Sequence, residues 1–278
     1  MIAVSHYAVF GHPIAHSLSP RLHALFAAQT GLALDYIAID ATPEAFDDAL
    51  RDFFAGGGRG ANVTLPHKAA AFALADVHST MARRLDIANV LTVLPDGRLE
   101  ADSNDGIGML ADLCGRRGVD PRGRDVLLLG AGGAARAAAF ALLDAEVRTL
   151  VIANRTFERA RALAAALAET ERLCVVRWDA LVSRAPFDLI INATSAGVQR
   201  AALALPPSLV QACTAAYDLS YGPAARPFVD WAGCAGCAAA YDGLGMLVET
   251  AAASFERWHG VRPDVNAALE KINAGNRP

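Results

Sequence analysis

The sequence predicts an α/β protein of two domains, the second of them a doubly wound parallel sheet, and three observations carry that prediction. Short apolar or alternating runs trade places with helical patterns along most of the 278 residues. Residues 126–129, all apolar, feed directly into Gly130-Ala131-Gly132-Gly133-Ala134-Ala135 and then into an alanine-rich helical pattern reaching Leu143. Further strand patterns follow at 149–153, 173–177, 187–191 and 215–219, at the spacing of a sheet with helical crossovers.

The elements read in order as follows. Residues 7–11 form a first strand, 12–18 a loop, and Ser19-Pro20 opens a helix with serine as cap and proline at the first helical position. The alternation at 35–40 is a strand, and Thr42-Pro43 opens a helix running to Ala55. The glycine cluster at 56–60 looks like a phosphate loop, but it leads into a strand at 60–63 rather than a helix, so a tight turn explains it better. The proline-stiffened turn Leu65-Pro66-His67 then presents Thr64 and Lys68, and Lys68 begins a helical stretch expected to continue through Asp86. Residues 89–94 and 98–101 flank Pro95-Asp96-Gly97 as a hairpin, and residues 102–106 cap a helix directed toward Arg117. Residues 121–123 are a linker into the glycine-turn unit. The last two helices, at 245–258 and 264–273, come after that unit's sheet is complete and are expected to return to the first domain. The expected division is therefore residues 1–104 with 240–278 and residues 105–239.

The composition bounds the function classes. With 54% hydrophobic residues, a net charge of −4 and no block of like charges, the chain can bury a large core and lacks the clustered cations that a general nucleic-acid surface needs. Small-molecule partners are expected. The first twenty residues are uncharged, but they have no basic leading segment and are broken by His6, Gly11, His12 and Pro13, so they do not read as a secretory signal. The uncharged run at 201–217 holds Pro206, Pro207, Ser208 and Gln211, which argues against a membrane span. A cytoplasmic protein is expected. The five cysteines are odd in number; Cys234-Ala-Gly-Cys237 invites a redox or zinc reading, yet no second ligand pair stands at zinc spacing, and reduced structural thiols are the better reading. His12 and His16 are four apart, but Pro13 removes the shared helix face that a zinc pair requires.

The glycine turn carries the first chemistry. Gly130 permits a sharp turn, Gly132 leaves room for a pyrophosphate against the backbone, and the small Ala135 stands where a third small residue lets helix and strand pack closely, with the helix's first amides facing the phosphates. A unit built to hold NAD places an acidic residue at the end of the second strand, for the ribose 2′-hydroxyl. This chain offers Asn154-Arg155-Thr156 there, with Arg159 one turn later. A carboxylate would repel a 2′-phosphate and a guanidinium grips one, so the cofactor is read as NADP, held in a Rossmann-type domain. Asn192-Ala193-Thr194-Ser195-Ala196-Gly197 leaves a later strand at the carboxyl edge, where such sheets bind ligands.

Several blocks in this order resemble the shikimate dehydrogenase family: HSLSP from His16, NVTLPHK from Asn62, GAGGAAR from Gly130, NRTFERA from Asn154, NATSAG from Asn192, YDLSY from Tyr217 and DGLGML from Asp242. The resemblance implies reversible, NADP-dependent reduction of 3-dehydroshikimate to shikimate in a cleft between an N-terminal α/β substrate domain and the Rossmann-type domain, by a monomer or homodimer. It implies that Lys68 and Asp105 are the catalytic pair and that Ser17, Ser19, Thr64, Asn89, Tyr221 and the position of Thr250 contact substrate. Gly130, Ala131, Gly132, Gly133, Ala134, Asn154, Arg155, Thr156, Arg159, Thr194 and Gly243 are implied at the cofactor. The chain departs from the family pattern near the substrate. Ser103 and Asn104 replace the polar pair before the aspartate, Val90 stands where threonine commonly follows the asparagine, and Thr250 stands where a glutamine is usual. Those departures leave open a relative of shikimate such as quinate as substrate, and a non-catalytic NADP(H)-binding sensor as a second class of function.

Overall fold

The computed structural model describes residues 4–168, 171–197 and 203–275. The chain divides into two compact units, Met1–Gly108 with Leu247–Pro278, and Met109–Met246. Both seams come later than residues 104 and 239, so Asp105 shares a unit with Lys68.

In the first unit, β1 (Ser5–Gly11) is followed by α1 (Ser19–Thr30), β2 (Leu34–Asp40), α2 (Phe46–Ala55) and β3 (Gly58–Val63). Ser19 lies inside α1 rather than capping it; the cap is Leu18, and the Ser17 hydroxyl accepts the Ser19 amide at 3.3 Å. Residues 43–45 form a turn, with the Ala45 amide on the Thr42 carbonyl, which is why α2 begins later than the Thr42-Pro43 signal. The glycine cluster is a packing device: a Cβ at Gly60 would stand 2.5 Å from the Trp258 indole nitrogen. The stretch expected as one helix to Asp86 is instead α3 (Lys68–Leu74), the short strand β4 (Val77–His78) and α4 (Thr80–Leu85). Ser79 interrupts it by capping α4, its hydroxyl accepting the Ala82 amide at 3.0 Å. β5 (Val90–Val93) and β6 (Leu99–Asp102) form the antiparallel hairpin, and α5 (Asp105–Leu110) leads into a π-helical turn over Ala111–Arg116. The sheet order is β2-β1-β3-β5-β6-β4, parallel on the β1 side and mixed beyond β3.

The second unit contains β7 (Asp125–Leu129), α6 (Gly133–Asp144), β8 (Thr149–Asn154), α7 (Phe157–Leu167), β9 (Leu173–Arg177), β10 (Leu189–Asn192), β11 (Ala215–Asp218), α8 (Arg226–Ala235) and β12 (Ala239–Tyr241). All its strands are parallel, in the order β12-β11-β10-β7-β8-β9. Val126, Leu127, Leu128 and Leu129 are wholly buried, as a central strand covered on both faces must be. The order reverses between β7 and β10, and the carboxyl ends at such a reversal are where open α/β sheets bind ligands. All five cysteines are free; four are exposed and only Cys237 packs on the core of this unit, so they are not a set of structural thiols.

α9 (Leu244–His259) and α10 (Val265–Gly275) close the chain, and their residues from Leu247 onward belong to the first unit. No helix among the described residues is long and apolar enough to cross a membrane. Of the uncharged run at 201–217, Ala201 and Ala202 lie outside the described residues, and the rest holds a short 3-10 turn and β11.

α9 and α1 bury an aromatic cluster around His23, which is fully inaccessible and stacks on Tyr36 at 3.9 Å with 8° between the rings. Phe26, Phe255 and Trp258 complete the enclosure. Burial, reinforced by His259, drives the His23 pKa from 6.5 down to about 3. The folded state therefore refuses a proton that the unfolded chain accepts. This stability is complete above pH 6.5 and is lost as pH falls toward 3, by about 1.4 kcal/mol per pH unit. Urea denaturation at pH 7 and pH 5 should show wild type losing about 2 kcal/mol more than His23→Phe, which keeps the stack and cannot titrate. Equal losses would mean that His23 is not the group refusing the proton.

Candidate active site

The chemistry-bearing residues of the first unit converge on one buried ion pair. Lys68 opens α3 and Asp105 opens α5; Lys68 Nζ donates to Asp105 Oδ2, with side-chain exposures of only 14% and 8%. Asn89, just before β5, uses one amide hydrogen on Asp105 Oδ1 at 2.8 Å and the other on Asn104 Oδ1 at 2.7 Å. Its side-chain carbonyl accepts the Asn104 backbone amide at 2.9 Å. Asn89 thus orients the aspartate and has a single carbonyl lone pair left for a ligand.

Asn104 is held in turn by α9. Its side-chain amide donates to the Thr250 carbonyl and to Ser254 Oγ, each at 3.1 Å. Ser254 also accepts from Asn62 at 2.8 Å, and Asn62 accepts from the Tyr36 hydroxyl at 2.7 Å. The chain of polar contacts therefore runs from Tyr36 on β2 through Asn62 on β3 and Ser254 on α9 to Asn104, Asn89 and the ion pair. Asn62, Asn104 and Ser254 were not legible as anchors from residue types alone.

The remaining substrate-side positions fall as follows. Thr64 leaves β3 with its amide on the Phe10 carbonyl at 2.8 Å, and its methyl lies against Gly11. Ser17, with its amide on the Ile14 carbonyl, is half-buried, and Ser19 is buried. Thr250 Oγ1 is buried against Gly108 of α5 and has no hydrogen-bond partner, a different placement from an amide offered to a ligand. Ser103 Oγ is likewise buried and unpartnered. Tyr221 belongs to the second unit, where it precedes a short 3-10 turn. His67 is structural: it stacks on Phe46 at 4.2 Å, and its Nε2 meets the Ala41 carbonyl at 2.7 Å.

In the second unit the glycine turn has the shape that a pyrophosphate requires. Gly130 adopts φ +115°, and a Cβ there would stand 2.7 Å from the Ala193 carbonyl. Around Gly132 a Cβ would meet nothing within 4 Å, so the backbone lies open ahead of the first turn of α6. Ala131, Gly133 and Ala134 are half-buried along this start. These residues fit a dinucleotide. At the end of β8 the Asn154 side chain bonds the Thr156 carbonyl at 2.8 Å, while Arg155, Thr156 and Arg159 are exposed. No carboxylate occupies the end of β8.

The loops at the carboxyl edge are tied to one another. Thr194 donates through both its amide and its hydroxyl to Asn192 Oδ1, and the Asn192 side-chain amide donates to Asp218 Oδ2 at 2.7 Å. Asp218 also accepts the Ser220 amide at 2.7 Å, and Gly243 packs its Cα against the Leu219 carbonyl. Burial pushes the Asp218 carboxyl up to about 7 against these hydrogen bonds.

Three family models match the chain: the shikimate dehydrogenase substrate binding domain over residues 9–91, shikimate / quinate 5-dehydrogenase over 114–202, and the shikimate 5'-dehydrogenase C-terminal domain over 243–272. A shikimate dehydrogenase (NADP(+)) from Xanthomonas campestris pv. campestris is 54% identical over 98% of this chain and 96% of its own length. The chain belongs to the shikimate dehydrogenase family. Another family member, from Stenotrophomonas maltophilia, is 51% identical over 97% of the chain and 96% of its own. Among solved structures, shikimate 5-dehydrogenase from Thermus thermophilus, in complex with NADP(H) and shikimate, is 35% identical with a TM-score of 0.85, covering 98% of this chain and 99% of that one. The ligand-free 5-ketofructose reductase of a Gluconobacter species is 30% identical with a TM-score of 0.82, over 98% and 100% of the two chains.

Proposed function

We propose that this chain interconverts 3-dehydroshikimate and shikimate with NADP(H), with Lys68 and Asp105 as the catalytic pair and the carboxyl edge of the second unit as the cofactor seat. The observation that carries the reading is the buried Lys68–Asp105 pair, held by Asn89 and anchored through Asn104 and Ser254. Membership of a family whose curated members are named as NADP(+)-dependent shikimate dehydrogenases supports it. The same reading makes it a cytoplasmic enzyme, a monomer or homodimer.

When bound, the cofactor supplies or accepts the hydride. The protein's part is the proton. Lys68 Nζ holds a proton toward the reacting oxygen and takes it back in the reverse direction, and Asp105 keeps the ammonium oriented. Ser17, Ser19 and Thr64 supply hydroxyls for a substrate carboxylate and ring. Gly130, Ala131, Gly132, Gly133 and Ala134 would lie along the pyrophosphate, and Asn154, Arg155, Thr156 and Arg159 around the adenosine ribose. Thr194, Tyr221 and Gly243 complete the second unit's contribution.

The unpartnered Thr250 hydroxyl and the committed amide of Asn104 favour a second reading, in which the preferred substrate is a close relative of shikimate such as quinate. Initial rates with shikimate and quinate, each with NADP and with NAD, separate the two. Shikimate with NADP should be the fastest combination. Faster turnover of quinate establishes the second reading, and no turnover of either acid by protein that still binds NADPH removes the enzyme reading in favour of a sensor.

A further inference from the structure

We propose that Arg177, at the carboxyl end of β9, is a further guanidinium, beside Arg155 and Arg159, for the cofactor's adenosine 2′-phosphate, and that Asp179 is the counter-charge the phosphate displaces. This rests on the reading of the second unit as an NADP-binding unit. The two strands carry the residues there in register: Asn154, the last residue of β8, pairs with Arg177, the last residue of β9. Arg155, Phe157, Arg177, Trp178 and Asp179 line one open pocket of about 280 Å³ at that edge.

The charges in the pocket suit a dianion. Arg155 makes no hydrogen bond or ion pair among the described residues. Arg177 lies over the Phe157 ring, with its guanidinium carbon 5.5 Å from the ring centroid, which aims the group without consuming its donors. Its one anionic neighbour among the described residues is Asp179 at 3.5 Å, in a pair exposed by 67% and 78%. Such a pair contributes little to stability and exchanges readily for a better acceptor. A phosphate monoester is that acceptor, since it carries nearly two charges and takes bidentate guanidinium bonds. A ribose without the phosphate would leave Arg177 on Asp179 and give Arg155 no anion, so the gain from Arg177 belongs to the phosphorylated cofactor alone.

The test is equilibrium binding of adenosine 2′,5′-bisphosphate and of 5′-AMP, by calorimetry with tryptophan fluorescence alongside. Arg177→Ala should weaken the bisphosphate about ten- to hundredfold and leave 5′-AMP unchanged. Asp179→Asn should tighten the bisphosphate, a gain that a merely structural aspartate would not produce. Undiminished discrimination in Arg177→Ala, equal losses for both nucleotides, or weaker binding by Asp179→Asn overturns the assignment. Wild-type protein that binds 5′-AMP as tightly as the bisphosphate overturns the NADP reading itself and this assignment with it.

Discussion

Lys68→Ala should lower kcat about 10²- to 10⁴-fold while leaving NADPH affinity unchanged, because the role proposed for Lys68 is to move the proton, whereas the residues proposed for the cofactor belong to the second unit. The pair is nearly dry, so removing the ammonium also strands a buried carboxylate, and breaking such a pair costs roughly 3–5 kcal/mol of stability. Rates must therefore be normalised to folded protein. Asp105→Asn separates the two effects. It keeps the shape of the site, leaves the lysine present but unoriented, and should lower kcat more than it raises KM. A loss below tenfold in folded Lys68→Ala would mean that another group carries the proton, since no other cation bonds Asp105 among the described residues.

The same ion pair shows what the sequence could and could not reveal. Lys68 and Asp105 were legible only through the family blocks around them, since by residue type alone a lysine after a turn is ordinarily solvated and an aspartate at a helix start is ordinarily a cap. Their support was not. Asn62, Asn104 and Ser254 lie on β3, in the loop before α5 and on α9, and only the fold brings the amides and hydroxyl to 2.8–3.1 Å. Residue type and spacing carry no information about pairing between segments some 150 positions apart. Ser103 and Asn104 looked equivalent as departures from the family pattern, yet one is an orphaned hydroxyl and the other anchors the site.

In the second unit the reverse holds. A parallel sheet with buried central strands follows from apolar runs and glycine turns, so β7 through β11 are legible to within two residues at each end. Local polar competition explains the misses in the first unit: Ser79 caps a new helix where propensity alone favoured one long helix, and the Ser17 hydroxyl takes the amide of Ser19, the residue expected to be the cap. Arg177 carries no signal of its own in the sequence, because its relation to Asn154 exists only in the β8–β9 register.

Asp112→Ala should destabilise the second unit by about 3–5 kcal/mol, among the largest losses any single substitution outside the ligand-facing loops would cause. Asp112 is wholly inaccessible and sits in the π-helical turn. It pairs with Arg116 at 2.8 Å and Arg117 at 3.4 Å and accepts the Tyr217 hydroxyl at 2.7 Å, while Gly245 packs its Cα on the carboxylate. Burial, then the charge of Asp112 and its hydrogen bond, raise the Tyr217 pKa, so that phenol stays a donor across the working pH range. Removing the carboxylate takes the Asp112 counter-charge from two mostly buried guanidinium groups, orphans a wholly buried hydroxyl and opens a void beneath α9's first turn. Tyr217→Phe should cost only about 1 kcal/mol, because Asp112 keeps both guanidinium partners. Denaturant titrations of the two variants give the ranking, and equal losses would show that the hydroxyl rather than the ionic cluster holds this region. The consequence reaches the ligand edge through covalent connection: Tyr217 directly precedes Asp218, whose carboxyl holds Asn192 and through it both donors of Thr194. Asp112→Ala should therefore weaken NADPH binding as well as stability, although no atom of Asp112 belongs to the cofactor-facing set.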